Sequence, residues 1–156
     1  MTYLLYKIYY GDWVAYLGRT KQPLQTRLRG HFFNKPMHKK IDIEDVTRIE
    51  YAECKTIADM YLYEIYYINL LTPPINCDDK ASDGLTVSLP ELDWKPYDCP
   101  LMDKWKAELA GREIQHRVAR QKEIDNFNLR RELRKRHADG ELSDDEYEER
   151  LEAIGF

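Results

Sequence analysis

The stretch that decides the fold is residues 3–20, which read YLLYKIYYGDWVAYLGRT. Tyr, Leu and Ile dominate residues 3–10, and aromatic and β-branched residues return at 13–17. Such residues favour extended strands, whereas the Gly11-Asp12 pair between the two runs is typical of a tight turn. The pattern predicts a β-hairpin near the start of the chain.

Two shorter elements follow the hairpin. Pro23 suits the first turn of a helix, and apolar residues recur at every fourth position after it. This spacing predicts a helix over about residues 23–32, with Arg27 and His31 on the same face. Apolar and charged residues alternate in residues 46–53, which is the period of a half-buried strand. The sheet is therefore predicted to contain three strands.

The most informative element is a helix predicted between Thr56, which resembles an N-terminal cap, and the prolines at 73 and 74. Its apolar residues keep helical spacing, and Glu64 falls in the middle of the apolar stripe. An unpaired charge is costly in such a place and would normally be neutralised or bound to a cation. We therefore expect Glu64 to have a functional role. The alternative is a structural carboxylate paired with a nearby arginine.

The composition changes in the second half of the chain. Asp, Gly and Pro are frequent up to residue 100, and a long charged stretch with helical spacing follows. Asp139-Gly140 is typical of a turn, and Ser143 with Glu146 of a capping box. We therefore divide the chain into a domain over residues 1–80, a connector over 81–100 and a helical extension over 101–156 that ends in a helical hairpin.

Length and composition narrow the class of protein. The chain has 156 residues, enough for one ordinary hydrophobic core with a small appendage. No apolar run has the length of a signal peptide or a membrane span, so a membrane partner is not expected. The three cysteines show no Cys-x-x-Cys spacing and suggest neither a disulfide framework nor a structural zinc site. A cytoplasmic location fits these features best.

The formal net charge of −4 conceals an uneven distribution of charge. Residues 1–40 contain eight Lys or Arg and a single Asp, and residues 112–136 contain nine basic residues against four acidic ones. Binding to nucleic acid is driven by Lys and Arg that displace counterions from phosphate. The two basic stretches could form such a surface, although ordinary solvated charge explains either stretch equally well.

Six elements follow one another in residues 3–76 with a recognisable order and spacing: Leu4-Leu5-Tyr6, Tyr16-Leu17-Gly18, Arg27, His31, Glu64 and Asn76. They resemble the signature of the GIY-YIG nuclease family. The resemblance implies an α+β fold, in which helices flank a three-stranded antiparallel sheet. It also implies an endonuclease that hydrolyses phosphodiester bonds in DNA, in a bacterial cell or a phage-infected host.

The first motif could be placed in two frames. Lys7-Ile8-Tyr9 looks closer to Gly-Ile-Tyr in its letters, but the family usually has about ten residues between its two tyrosines. Tyr6 and Tyr16 have that separation and Tyr9 does not. Leu4 then stands where the family has glycine, which is a departure at a backbone position and not at a reacting group.

The resemblance implies a catalytic role for five residues. Glu64 would be the ligand of a single Mg²⁺ or Mn²⁺, and Arg27 would hold the phosphate through its planar guanidinium. Tyr6 would take or relay the proton of the attacking water, and Tyr16 and His31 would complete the proton network. Which of these groups is the general base stays open.

Other residues would support or extend this site. The resemblance gives Gly18 and Asn76 supporting roles, with Asn76 holding backbone near the site. We expect contacts to nucleic-acid phosphates from Lys7, Arg19, Lys21 and Arg29, although a merely solubilising charge would explain each of them equally well.

The C-terminal hairpin contains Leu133, Gly140-Glu141-Leu142-Ser143 and Tyr147. With these residues it resembles a short C-terminal (SHOCT-like) oligomerisation motif. This implies a second copy or a protein partner as its binder, while the basic helix before it could instead clamp the DNA backbone. The alternative to an endonuclease is a catalytically decayed nucleic-acid-binding protein, or an adaptor that acts through its helical tail.

The register of the hairpin decides whether Tyr6 and Tyr16 share a face. Side chains alternate between the two faces along a strand. Tyr6 and Tyr16 can therefore share a face only if the residue numbers of each pair across the hairpin add up to an even number. A two-residue turn gives an odd sum and would separate the tyrosines. We therefore predict a three-residue loop over residues 10–12 that sets Tyr6 beside Tyr16. Gly11 is expected near the left-handed conformation within this loop.

Overall fold

The computed structural model describes residues 1–34 and 41–155, and the chain divides into two compact units. The first unit is Met1–Lys106 and the second begins at Ala107. Residues 81–100, predicted to be a connector, therefore lie within the first unit. Within the described ranges, no helix is both long and apolar enough to cross a membrane.

The first unit is built on an antiparallel sheet with helices around it, so the predicted α+β class is confirmed. The strand order is β2-β1-β3-β4. The bounds are β1 Tyr3–Tyr10, β2 Trp13–Thr20, α1 Leu24–Phe33, a 3₁₀ turn Ile43–Asp45, β3 Val46–Cys54, α2 Ile57–Leu71 and β4 Lys95–Pro96.

The prediction of three strands is wrong by one. The fourth strand, β4, has only two residues and pairs with Glu50 and Tyr51 of β3. A Lys-Pro pair has no alternation that could reveal it, and proline is tolerated only because β4 lies at the edge of the sheet.

The hairpin brings Tyr6 and Tyr16 to one face by a route that differs from the predicted one. Gly11 has φ +60°, as expected, but the turn has two residues and pairs Tyr10 with Trp13. The predicted three-residue loop is therefore wrong. Ala15 is instead an extra residue in β2, because the register shifts between Tyr9 and Ile8. This bulge restores an even sum, so that Tyr6 pairs with Gly18 and Tyr16 lies diagonally across from it.

The two faces of the sheet have different partners. Leu5 and Leu17 form a buried cluster with Met60 and Ile68 of α2. Truncating one of these fully buried aliphatic side chains would cost about 2–5 kcal/mol. The face that carries Tyr6 is connected instead to α1, through hydrogen bonds described below. The sheet thus holds two helices that both contribute to the site.

The bounds of α2 follow from its end residues. The Thr56 hydroxyl accepts a hydrogen bond from the Asp59 backbone N–H at 3.0 Å, which confirms the predicted cap. The helix ends at Thr72, which is left-handed with φ +47°, immediately before Pro73. Glu64 therefore lies near the middle of a fixed helix.

The second unit contains most of α3, Met102–Ala138, and all of α4, Asp144–Ala153. Ser143 and Glu146 form the predicted capping box. The His137 ring stacks on Tyr147, with centroids 4.4 Å apart. These contacts agree with the helical hairpin predicted at this end of the chain.

Candidate functional site

Three predicted site residues form one hydrogen-bonded group. The Tyr6 hydroxyl lies 2.5 Å from Nε2 of His31. Nε of Arg27 donates a hydrogen bond to the same hydroxyl at 3.1 Å. The hydroxyl thus joins a strand to two residues of α1 that are one helical turn apart, as their spacing predicts.

Tyr16 completes the group. Its ring centroid lies 4.7 Å from that of His31 and 6.1 Å from that of Tyr6. The charge of Arg27 and the nearby Tyr6 hydroxyl both favour the ionised form of Tyr16 and so act to lower its pKa. Burial has the larger and opposite effect and raises the pKa of Tyr16 above its ordinary value.

Gly18 allows the two tyrosines to meet. A Cβ atom added at Gly18 would lie 2.5 Å from Oη of Tyr6 and 2.7 Å from Cε1 of Tyr16, where ordinary contacts begin at 3.4 Å. Only a residue without a side chain fits there. The supporting role inferred for Gly18 thus has a steric cause, because Gly18 pairs with Tyr6 across the two strands.

Burial separates the roles of the two tyrosines. Tyr6 is fully buried and does not line the neighbouring cleft, whereas Tyr16 does. Burial raises the pKa of Tyr6 strongly, and the nearby Tyr16 adds to that effect while Arg27 opposes it. Of the two roles expected for Tyr6, taking or relaying the proton of the water, its burial favours the relay, since Tyr16 is the tyrosine that lines the cleft.

The cleft has a volume of about 230 Å³. It is bounded by groups from β2, α1, α2 and the loop after α2. The polar side chains that line it are those of Tyr16, Arg27, His31, Glu64, Asn76, Asp78 and Asp79. Both arginine and carboxylate groups thus face a space that could admit a phosphate group.

Glu64 is largely buried, with 12% of its side chain exposed. Oε2 of its carboxylate lies 2.5 Å from Nη1 of Arg19. Burial raises the pKa of the Glu64 carboxyl above its ordinary value, and the charge of Arg19 opposes that increase. The arginine partner that the sequence offered as an alternative for Glu64 is therefore present.

The predicted apolar stripe around Glu64 is only half correct. Met60 and Ile68, one turn before and after it, are buried. Tyr61 and Ile65, which also belong to the predicted stripe, are in contrast 40% and 47% exposed. Glu64 accordingly lies at the border of the buried face, where its carboxylate reaches the cleft.

The donor groups around Glu64 suit a hard divalent cation. Within the described residues, no three His, Cys, Asp or Glu side chains converge as a preformed metal site. Mg²⁺ does not require one, because it is commonly held by one or two carboxylates together with water and substrate phosphate. Glu64, Asp78 and Asp79 line the same cleft and offer only oxygen ligands. The chemistry of these donors therefore fits Mg²⁺ or Mn²⁺.

Asn76 fastens the loop after α2 to the hairpin. Its side-chain carbonyl accepts a hydrogen bond from the Leu17 backbone N–H at 2.9 Å, and its amide donates to the Leu17 carbonyl at 2.8 Å. The Ile75 N–H adds a bond to the carbonyl of the bulged Ala15 at 3.1 Å. This agrees with the backbone-holding role inferred for Asn76.

The four basic residues that were predicted to contact phosphate have different surroundings. Lys7 is buried, with Nζ 3.8 Å from the centroid of the Trp94 ring, and is not brought to the cleft. Arg19 is bound to Glu64, as described above. Lys21 is exposed, and Arg29 is an exposed residue whose guanidinium lies over the Phe33 ring.

Sequence reasoning missed two residues that line the cleft and one residue that covers Lys7. Asp78 and Asp79 line the cleft, and they could have been suspected because they closely follow Asn76 in the chain. Trp94, which covers Lys7, gave no signal because it lies in a stretch interpreted as a connector.

Comparisons of the chain with models of protein families, with curated proteins and with solved structures found no match. The resemblance to the GIY-YIG family therefore rests on the motif residues of the sequence alone.

Proposed function

We propose that this protein is a metal-dependent endonuclease of the GIY-YIG type, which hydrolyses phosphodiester bonds in DNA. The observation that carries the proposal is the single cleft shared by Tyr16, Arg27, His31 and Glu64. Such hydrolysis needs a path for the proton of water, neutralisation of phosphate charge and help for the leaving oxygen. The four residues supply groups for each of these needs.

The proton path in this proposal begins at the cleft. Tyr16 is the hydroxyl placed to contact a water molecule there, and Tyr6 lies behind it. As Tyr16 accepts the proton of the water, it would pass its own hydroxyl proton to Tyr6, and Tyr6 would release its own proton to Nε2 of His31, 2.5 Å away. Arg27 favours negative charge on both phenol oxygens. The imidazole would thus be the final acceptor, without itself touching the water.

Phosphate binding would fall mainly to Arg27. Its Nε is engaged by Tyr6, and the planar guanidinium has further N–H groups that suit paired phosphate oxygens. A Mg²⁺ or Mn²⁺ ion bound at Glu64 would stabilise charge on the phosphate and on the leaving oxygen. Gly18 and Asn76 keep the tyrosines and the loop after α2 in register with these groups.

The direct test is nicking of supercoiled plasmid in the presence of Mg²⁺ or Mn²⁺. We expect wild type to nick the plasmid, and Glu64→Gln to lower the rate by about 100-fold or more. Glu53→Gln, which removes the same charge from an exposed position on β3, is the matched control and should cut like wild type. An intact plasmid with wild type across divalent metals, or normal cutting by Glu64→Gln, would refute the proposal.

A nucleic-acid-binding protein without catalysis is the second candidate. It is favoured by the contact of Arg19 with Glu64, since an arginine occupies an oxygen of the carboxylate that the metal needs. This candidate predicts that DNA binds while no divalent metal induces cleavage. Gel-shift and nicking assays on the same preparation distinguish the two functions.

A further inference from the structure

We propose that Arg19 and the divalent cation exchange places at Glu64. Without the cation, Arg19 holds the carboxylate; when the cation binds, Arg19 is released and turns to the phosphate of the nucleic acid. This inference rests on the proposed function, because it concerns how the same site takes up its metal.

The starting position of Arg19 is well defined. Nη1 lies 2.5 Å from Oε2 of Glu64, and the guanidinium carbon lies 4.1 Å from the centroid of the Tyr61 ring. Tyr61 and Glu64 are three residues apart on α2 and so lie on the same side of the helix. The Arg19 side chain therefore bridges β2 and α2 beside Glu64, which lines the cleft.

The cation and the guanidinium compete for the same oxygen. A Mg²⁺ ligand lies at about 2.0–2.1 Å, closer than the nitrogen of Arg19 does now. The charge of Arg27 also acts on Glu64, so a cation that approaches this carboxylate meets positive charge from two arginines. Departure of Arg19 is the change that lowers this repulsion most, because Arg19 is in direct contact with the carboxylate.

Arg19 is free to leave because its other contacts are weak. Its side chain is 41% exposed, and the Tyr61 ring beside it is 40% exposed. Ion pairs and cation–π contacts at such exposure contribute little, so water or phosphate can replace them. Arg19 directly follows Gly18, which touches both tyrosines, so the released guanidinium stays beside the cleft.

The test measures Mn²⁺ binding to the full chain by electron paramagnetic resonance, without any substrate. Arg19→Met should bind Mn²⁺ about tenfold more tightly than wild type, which corresponds to about 1.4 kcal/mol. Arg48→Met is the matched control, because Arg48 lies over Tyr9 and next to Glu50, outside the cleft. It should bind Mn²⁺ within about twofold of wild type. Arg19→Gln serves if circular dichroism shows that Arg19→Met is not folded.

A second measurement tests whether the released Arg19 guanidinium contributes to DNA binding. Fluorescence anisotropy of a labelled DNA duplex should show that Mn²⁺ strengthens binding by wild type, and that this gain is lost in Arg19→Met. Arg48→Met should keep it.

The outcomes separate this inference from the function on which it rests. Equal or weaker Mn²⁺ binding by Arg19→Met, while Glu64→Gln abolishes binding, would overturn the exchange and leave the metal at Glu64. Unchanged Mn²⁺ binding by Glu64→Gln would show that the metal lies elsewhere, and both proposals would fail.

Discussion

Replacing Gly18 with alanine adds a single methyl group at the most crowded point of the site. The new Cβ would lie 2.5 Å from Oη of Tyr6 and 2.7 Å from Cε1 of Tyr16, about 1 Å inside ordinary contact distance. Neither ring can yield easily, because Tyr6 is fully buried and its hydroxyl is fixed by His31 and Arg27. We expect a loss of about 1–3 kcal/mol in the free energy of unfolding.

Activity should suffer more than stability in this variant. Moving the Tyr6 hydroxyl lengthens its hydrogen bonds to His31 and Arg27, and a misplacement of about 1 Å at a reacting group can cost roughly 100-fold in rate. Urea unfolding and plasmid nicking on the same preparations measure the two effects.

Gly30→Ala is the matched control for Gly18→Ala. A Cβ at Gly30 meets no atom of the described residues within 4 Å, and the residue lies inside α1. Alanine is a better helix former than glycine, so we expect a gain of about 0.5–1 kcal/mol and normal nicking. Adding Tyr6→Phe to Gly18→Ala removes the closest contact and should recover part of the lost stability. Wild-type stability and nicking in Gly18→Ala would refute the steric argument.

Three further predictions concern the surroundings of the site. Asn76→Ala removes both hydrogen bonds to the Leu17 backbone, so urea unfolding should show a loss of about 1–3 kcal/mol, and an unchanged midpoint would contradict it. Lys7→Met should nick plasmid at a rate within about twofold of wild type, because Lys7 is buried under Trp94. A large loss of nicking rate would instead indicate that Lys7 contacts the phosphates of the DNA. Folding raises the pKa of the Glu64 carboxyl above its ordinary 4.5, so the folded state favours the protonated form. The stabilisation that comes from this bound proton is lost as pH rises through the folded pKa. Glu64→Gln should therefore gain stability relative to wild type between pH 4 and pH 7, and urea unfolding that shows no such trend would contradict the shift.

Local signals in the sequence predicted the elements that position the site. The Thr56 cap, the spacing of Arg27 and His31, and the left-handed Gly11 are confirmed because each depends on a few neighbouring residues. The bulge at Ala15 was missed, although the need for even pairing was recognised. Parity can be restored either in the turn or within a strand, and the letters of the hairpin do not distinguish the two.

Features that depend on contacts between residues far apart in the chain could not be predicted from local patterns in the sequence. The two-residue strand β4 exists only because β3 offers an open edge. Trp94 covers Lys7 from a stretch whose composition resembles a loop. The partner of Glu64 could be foreseen as an arginine but not as Arg19, because β2 and α2 meet only in the folded chain.

The measurement that tests the central claim most directly is cleavage of DNA in water enriched in ¹⁸O, with Mg²⁺ or Mn²⁺ present. Hydrolysis in the cleft predicts that each cut places one ¹⁸O atom in the new terminal phosphate, and that Glu64→Gln forms no such product while Glu53→Gln does. Mass spectrometry of the cut ends reads the label. Absence of cleavage, cleavage without the label, or equal labelling by Glu64→Gln would contradict the account.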